Sequence, residues 1–142
     1  MFLALLTGVS MSTQAAVNTK LSTYVESPLL AAFISFATGT LVLFICLLVT
    51  GTPLGDLAKA PNAPWIAWIG GALGVFFVMV MILSVPRIGV ALAFSLAIAG
   101  QMLTALVIDH FGLFGVAERS ISWPRLLGVV LVMSGVIIIR RF

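Results

Sequence analysis

The chain has 142 residues, 62% of them hydrophobic and only 8% charged, and its mean hydropathy is +1.29. Soluble domains carry roughly a quarter charged residues, and a globule of ~150 residues still exposes about a third of its chain's surface, so no water-soluble fold of this length hides so much apolar surface. The formal charge of +3 comes from bases scattered along the chain, with Arg140 and Arg141 the one adjacent pair, which excludes a nucleic-acid-binding surface and leaves an all-α integral membrane protein with the lipid bilayer as its solvent.

A membrane-crossing helix needs about 20 mostly apolar residues, within a range of roughly 17 to 25, and five stretches qualify. The first is expected over residues 2–20. No base precedes its apolar opening and no clear small-x-small site follows, so it reads as a retained helix rather than a signal peptide. It is also the most polar of the five, carrying Thr7, Ser10, Ser12, Thr13, Gln14 and Asn18. In lipid each of those groups needs a partner, so this helix is expected to face protein or a cavity.

The second helix, 28–50, opens on Pro28, which a first turn tolerates because the missing N–H has no helical partner there. Residues 51–64 contain three prolines along with Asp56 and Lys59, and form the obvious extramembrane loop. Trp65 and Trp68 head the third helix, 65–85, where amphipathic rings favour the lipid–water boundary. Val85-Pro86-Arg87-Ile88-Gly89 then leaves room only for a tight helical connection. The fourth helix, 88–109, ends at Asp109-His110, and after the loop FGLFGVAERSIS, Trp123-Pro124-Arg125 opens the fifth, 124–140. No Gly/Ser-rich linker interrupts the chain, which is expected to be a single transmembrane domain over 1–142.

Small residues mark faces where helices could approach closely, a main source of association in lipid. Gly70 and Gly74 form a GxxxG notch widened by Gly71, and Gly128 and Gly135, seven apart on the fifth helix, are the expected dimer contact. Orientation is poorly specified. With five spans, Lys59, Arg119 and Arg125 lie on one side of the membrane and Lys20, Arg87, Arg140 and Arg141 on the other. Three bases against four is almost no bias for a rule that works through a Lys/Arg excess. Insertion both ways would let two copies assemble antiparallel, on the inverted-repeat plan of many transporters.

No paired carboxylate, metal-spaced His/Cys cluster, Ser-His-Asp set or phosphate loop is present, so neither an enzyme nor a cofactor or metal site is expected. Cys46, alone, forms no intrachain disulfide and reads as a small packed side chain. Asp109-His110 reads as a boundary cap or topology anchor. What remains is uncharged polarity. Ser10, Gln14 and Asn18, at i, i+4 and i+8, make a stripe down one helix face; Ser35, Thr38 and Gly39 share a face of the second helix; Gln101 and Thr104 share one on the fourth. An amide unpaired in hydrocarbon costs several kcal/mol. We read Ser10, Gln14, Asn18, Ser35 and Gln101 as the lining of a solute-binding cavity. The alternative is helix glue in a non-transporting scaffold or in a subunit of a heteromeric membrane complex.

The order of these motifs resembles a known family. GVSMSTQAAVNTKLSTYVESPLLAAFISFATGT followed by SVPRIGVALAFSLAIAGQMLTALVIDHFGLFG is similar to the YdcZ-type family of the drug/metabolite transporter superfamily, across essentially the whole chain, with Gln14-x-x-x-Asn18 and DHFGLFG its more specific elements. More distantly, the chain resembles the small multidrug resistance transporters, in its tight Pro-Gly connection and its glycine pair on the last helix. The resemblance implies an inner-membrane exporter built as a five-helix half-unit, completed by a second copy or a sister chain, that moves a small-molecule solute. The small multidrug transporters place a membrane-embedded glutamate in the first helix. Here the corresponding region has Gln14, which cannot titrate, so proton-for-cation exchange through that residue is not expected.

Overall fold

The computed structural model describes residues 2–141. Five α-helices, α1 (Phe2–Tyr24), α2 (Pro28–Thr50), α3 (Ile69–Ile88), α4 (Val90–Phe111) and α5 (Trp123–Arg141), account for most of them, and short 3-10 segments fill parts of the connections. No strand occurs among the described residues. Among the described residues, four helical stretches are long and apolar enough to cross a membrane: Pro28–Thr50, Trp65–Ile88, Val90–Phe111 and Trp123–Arg141. Helix α1 is not among them. Its 23 residues span about 34 Å at ~1.5 Å per residue, so it has the length of a span, and its run of hydroxyls and amides is what sets it apart.

The helix ends follow backbone chemistry rather than the positions of the charges. α1 continues a full turn past Lys20, because an exposed lysine side chain can extend away from a helix without breaking its ladder. It stops where Glu26 turns to φ 52° and Ser27, preceding Pro28, takes an extended conformation that also caps α2, its Oγ accepting from the Leu30 amide at 3.3 Å. α3 likewise runs through Pro86 and Arg87. Proline in a last turn removes only one ladder bond, and the break falls on Gly89 alone, whose φ of 80° and ψ of 160° an L side chain rarely adopts. α4 passes Asp109 and His110 and ends at Gly112, at φ 58° and with the Val116 carbonyl 3.3 Å from where a Cβ would sit.

The chain divides into two compact units, one reaching to Arg87 and the other starting at Ile88. In the first, the short connection after Tyr24 lays α1 beside α2, and the apolar centre is Ala31, Ala32, Val78 and Ile82, flanked by Leu21, Val25, Phe77 and Met79. Two alanines at the heart of it let the helices come close, as expected of packing in lipid. Gly74 belongs to this packing, its Cβ position lying 3.5 Å from the Phe36 ring, whereas Gly70 and Gly71 face open space. In the second unit α4 packs on α5, with Ala93 and Ala99 buried on one helix and Val129 and Val136 on the other. Gly128 and Gly135 have nothing within 4 Å of a would-be Cβ. Trp65, Trp68 and Trp123 are all exposed, the first two in a 3-10 segment ahead of α3 rather than in the helix expected to start at 65, and Trp123 at the first residue of α5.

Candidate functional site

Most of the polar side chains in these helices need no partner beyond their own helix. Thr7 donates to the Ala4 carbonyl at 2.7 Å, Ser12 to Gly8 at 3.1 Å and Thr13 to Val9 at 2.8 Å. Thr38, Thr40, Ser95, Thr104 and Ser134 do the same toward the residue four before each. A hydroxyl bonded back to its own turn can face lipid at little cost. Contrary to the expectation from sequence, Thr7, Ser12 and Thr13 on α1 therefore require neither protein nor a cavity as a partner.

Among the described residues in the α-helices, the uncharged polar side chains left without a hydrogen bond are Ser10, Gln14, Asn18, Thr19, Tyr24, Ser35, Ser84 and Gln101. Four of them meet. Ser10, Gln14 and Asn18 from α1 and Ser35 from α2 line one groove of about 590 Å³, with Thr13 and Thr38 beside them and Val9, Val17, Leu21 and Ile34 as its apolar walls. The helical stripe explains the α1 side: positions i, i+4 and i+8 stack on one face, and the antiparallel neighbour contributes Ser35 and Thr38, three apart and so also on one face. Gln14 and Ser35 also border a second pocket of about 240 Å³ with Phe36, Gly39, Thr40 and Leu43. These two side chains therefore form the wall common to both spaces.

The groove is graded. Ser10 and Gln14 are exposed, Ser35 is half-buried, and Asn18 is 4% exposed with its Nδ2 making no hydrogen bond. No ionisable residue lines it. Gln101 lies exposed on α4, in the second unit. Sequence reasoning passed over Thr19, whose Oγ1 is buried without a partner. Nothing in the pattern singles it out, because its orientation depends on which helix α1 packs against.

Asp109 and His110 take part in a clasp over the loop after α4. The Asp109 carboxylate meets the Arg125 guanidinium at 3.0 Å, its carbonyl accepts the Arg119 amide at 2.7 Å, and Arg125 also donates to the Arg119 carbonyl at 3.1 Å. His110 Nδ1 accepts the Ile121 amide at 3.4 Å. These contacts hold residues 112–122 against the ends of α4 and α5 and leave no group of three His, Cys, Asp or Glu side chains suited to a metal among the described residues. Cys46 is exposed rather than packed, the face of α2 that carries it having no neighbour.

The sequence pattern of the family described as "Putative inner membrane exporter, YdcZ" matches residues 1–138. The chain is similar to the Inner membrane protein YdcZ of Escherichia coli (strain K12), with 27% identity over 120 residues that cover 84% of this chain and 80% of that protein. No solved structure matches it significantly.

Proposed function

The chain belongs to the YdcZ family of inner-membrane proteins, and from that membership we propose that it is a transporter that exports a small solute, with the α1–α2 groove as its solute site. The observation that carries the reading is the coincidence of two independent selections. Of the eight uncharged polar side chains that the α-helices leave without hydrogen bonds among the described residues, four, Ser10, Gln14, Asn18 and Ser35, line this one groove. Polar groups inside a membrane-spanning segment are costly, and those without structural partners are candidates for a functional site. α1 crosses the membrane as a fifth span, its hydroxyls bonded back to its own turns and its stripe turned to the groove.

The working unit is an antiparallel dimer of two oppositely inserted copies, or a pair with a sister chain, and it works by alternating access. The near-even split of bases across the membrane supports dual insertion, and the open glycines of α5 offer the dimer contact. Purified protein screened against a solute library by thermal shift, followed by flux of the stabilising solutes in proteoliposomes, tests the reading. Flux above that of empty liposomes is expected. Stabilising solutes that cross no faster than through bare lipid would refute transport and favour a scaffold role.

A further inference from the structure

We propose that the α1–α2 groove selects an uncharged amphipathic solute that presents a hydrogen-bond acceptor, and that Asn18 is its anchor. This rests on the reading of that groove as the solute site.

Three features of the groove point the same way. The first is charge. None of its lining residues is ionisable, and Lys20 and Glu26, the charged residues nearest Asn18 in sequence, are not among them. A charged solute leaving water for this site would meet no counter-charge, a far larger penalty than a missed hydrogen bond. The second is hydrogen-bond polarity. The Thr13 and Thr38 hydroxyl protons are committed to the Val9 and Ile34 carbonyls, both at 2.8 Å. Asn18, at 4% exposure, lines the groove with a side chain whose Nδ2 is covered and has no hydrogen-bond partner among the described residues. A carbonyl, ether or hydroxyl oxygen on the solute would complete it once the amide turns toward the groove, so binding recovers a cost that the empty fold already bears. The third is shape. Val9, Val17, Leu21 and Ile34 offer an apolar wall, and about 590 Å³ lies within the range of small-molecule sites.

Gln14, exposed at the mouth one turn before Asn18, offers both donors and an acceptor and so discriminates little. The buried amide is the selective group. Its role differs from helix glue in one measurable way: glue is lost on substitution with a fall in stability, whereas an unsatisfied donor is lost with none.

The test uses the full chain in phosphatidylcholine nanodiscs, with Cys46→Ser and Ser10→Cys introduced, and follows labelling of the new thiol by N-ethylmaleimide. Two probes of similar size are compared: acetanilide, neutral with a carbonyl acceptor, and phenyltrimethylammonium, cationic with none. Acetanilide should slow labelling and the cation should not. Adding Asn18→Leu should raise the half-protecting acetanilide concentration about tenfold, without lowering the melting temperature. Asn18→Asp, which keeps the shape and puts a carboxyl in place of the amide, should shift the preference toward the cation; it also serves if Asn18→Leu does not fold. Equal protection by the cation in the unmodified groove would overturn the solute class while leaving the groove as a solute site. Acetanilide protection unchanged by both Asn18 variants would overturn the anchor. Protection by neither probe would overturn the proposal, and the reading of the groove as a solute site with it.

Discussion

Replacing Gln14 with alanine separates a solute site from structural glue more cleanly than any other single change. Gln14 is exposed, makes no hydrogen bond to the described residues, and sits mid-helix in α1. Its removal therefore strands no partner, and alanine is the better helix former by a few tenths of a kcal/mol. The expected change in stability is within about 0.5 kcal/mol, as for a substitution that breaks no packing or polar network. Affinity is another matter. If the amide makes two hydrogen bonds to the solute at roughly 0.5–1.5 kcal/mol each, their loss weakens binding about 5- to 150-fold. The assay is paired: thermal unfolding of the purified variant, and binding of a solute found to stabilise the parent. Gln14→Glu, the only titratable group then present in the groove, should make solute binding pH-dependent where the parent's is not. A Gln14→Ala protein that melts well below the parent yet binds with full affinity would refute the reasoning and make the stripe structural.

Other expectations follow from separate parts of the molecule. Gly128→Leu and Gly135→Leu meet open space within the chain, so each should insert and fold as a monomer while crosslinking reports loss of the dimer; an intact dimer moves the contact to Gly70 and Gly71. Lysines appended after Phe142 should fix one orientation, and one-sided cysteine accessibility in the unmodified protein would exclude dual insertion. Gly74→Ala brings a Cβ into ordinary contact with Phe36 and should be neutral or stabilising by up to ~1 kcal/mol, whereas Gly74→Leu should cost about 1–3 kcal/mol, read from thermal unfolding. Asp109→Asn weakens a pair whose side chains are 29% and 30% exposed, and after discounting for solvent screening should cost at most about 1 kcal/mol, seen as faster proteolysis within residues 112–122 rather than as global unfolding.

Composition and periodicity alone determined that the chain is an all-helical membrane protein, because 62% hydrophobic residues in apolar runs admit no other solvent. They also placed Ser10, Gln14 and Asn18 on one face, since a helix repeats every ~3.6 residues wherever it packs. Proline and charge misplaced the helix ends: backbone geometry at Glu26, Gly89 and Gly112 decides where a ladder stops, and neither Lys20 nor Pro86 does. Only the tertiary structure decided which polar groups matter. A residue list cannot say that the Thr13 hydroxyl bends back to Val9, that Ser35 is brought across to Gln14, or that Asn18 turns inward with its Nδ2 unpaired. Those facts depend on how α1 is rotated against α2, a rotation that buries Ala15 and packs Leu21 against the cluster of Ala31, Ala32, Val78 and Ile82, residues whose chemistry is indistinguishable in sequence from that of their lipid-facing neighbours.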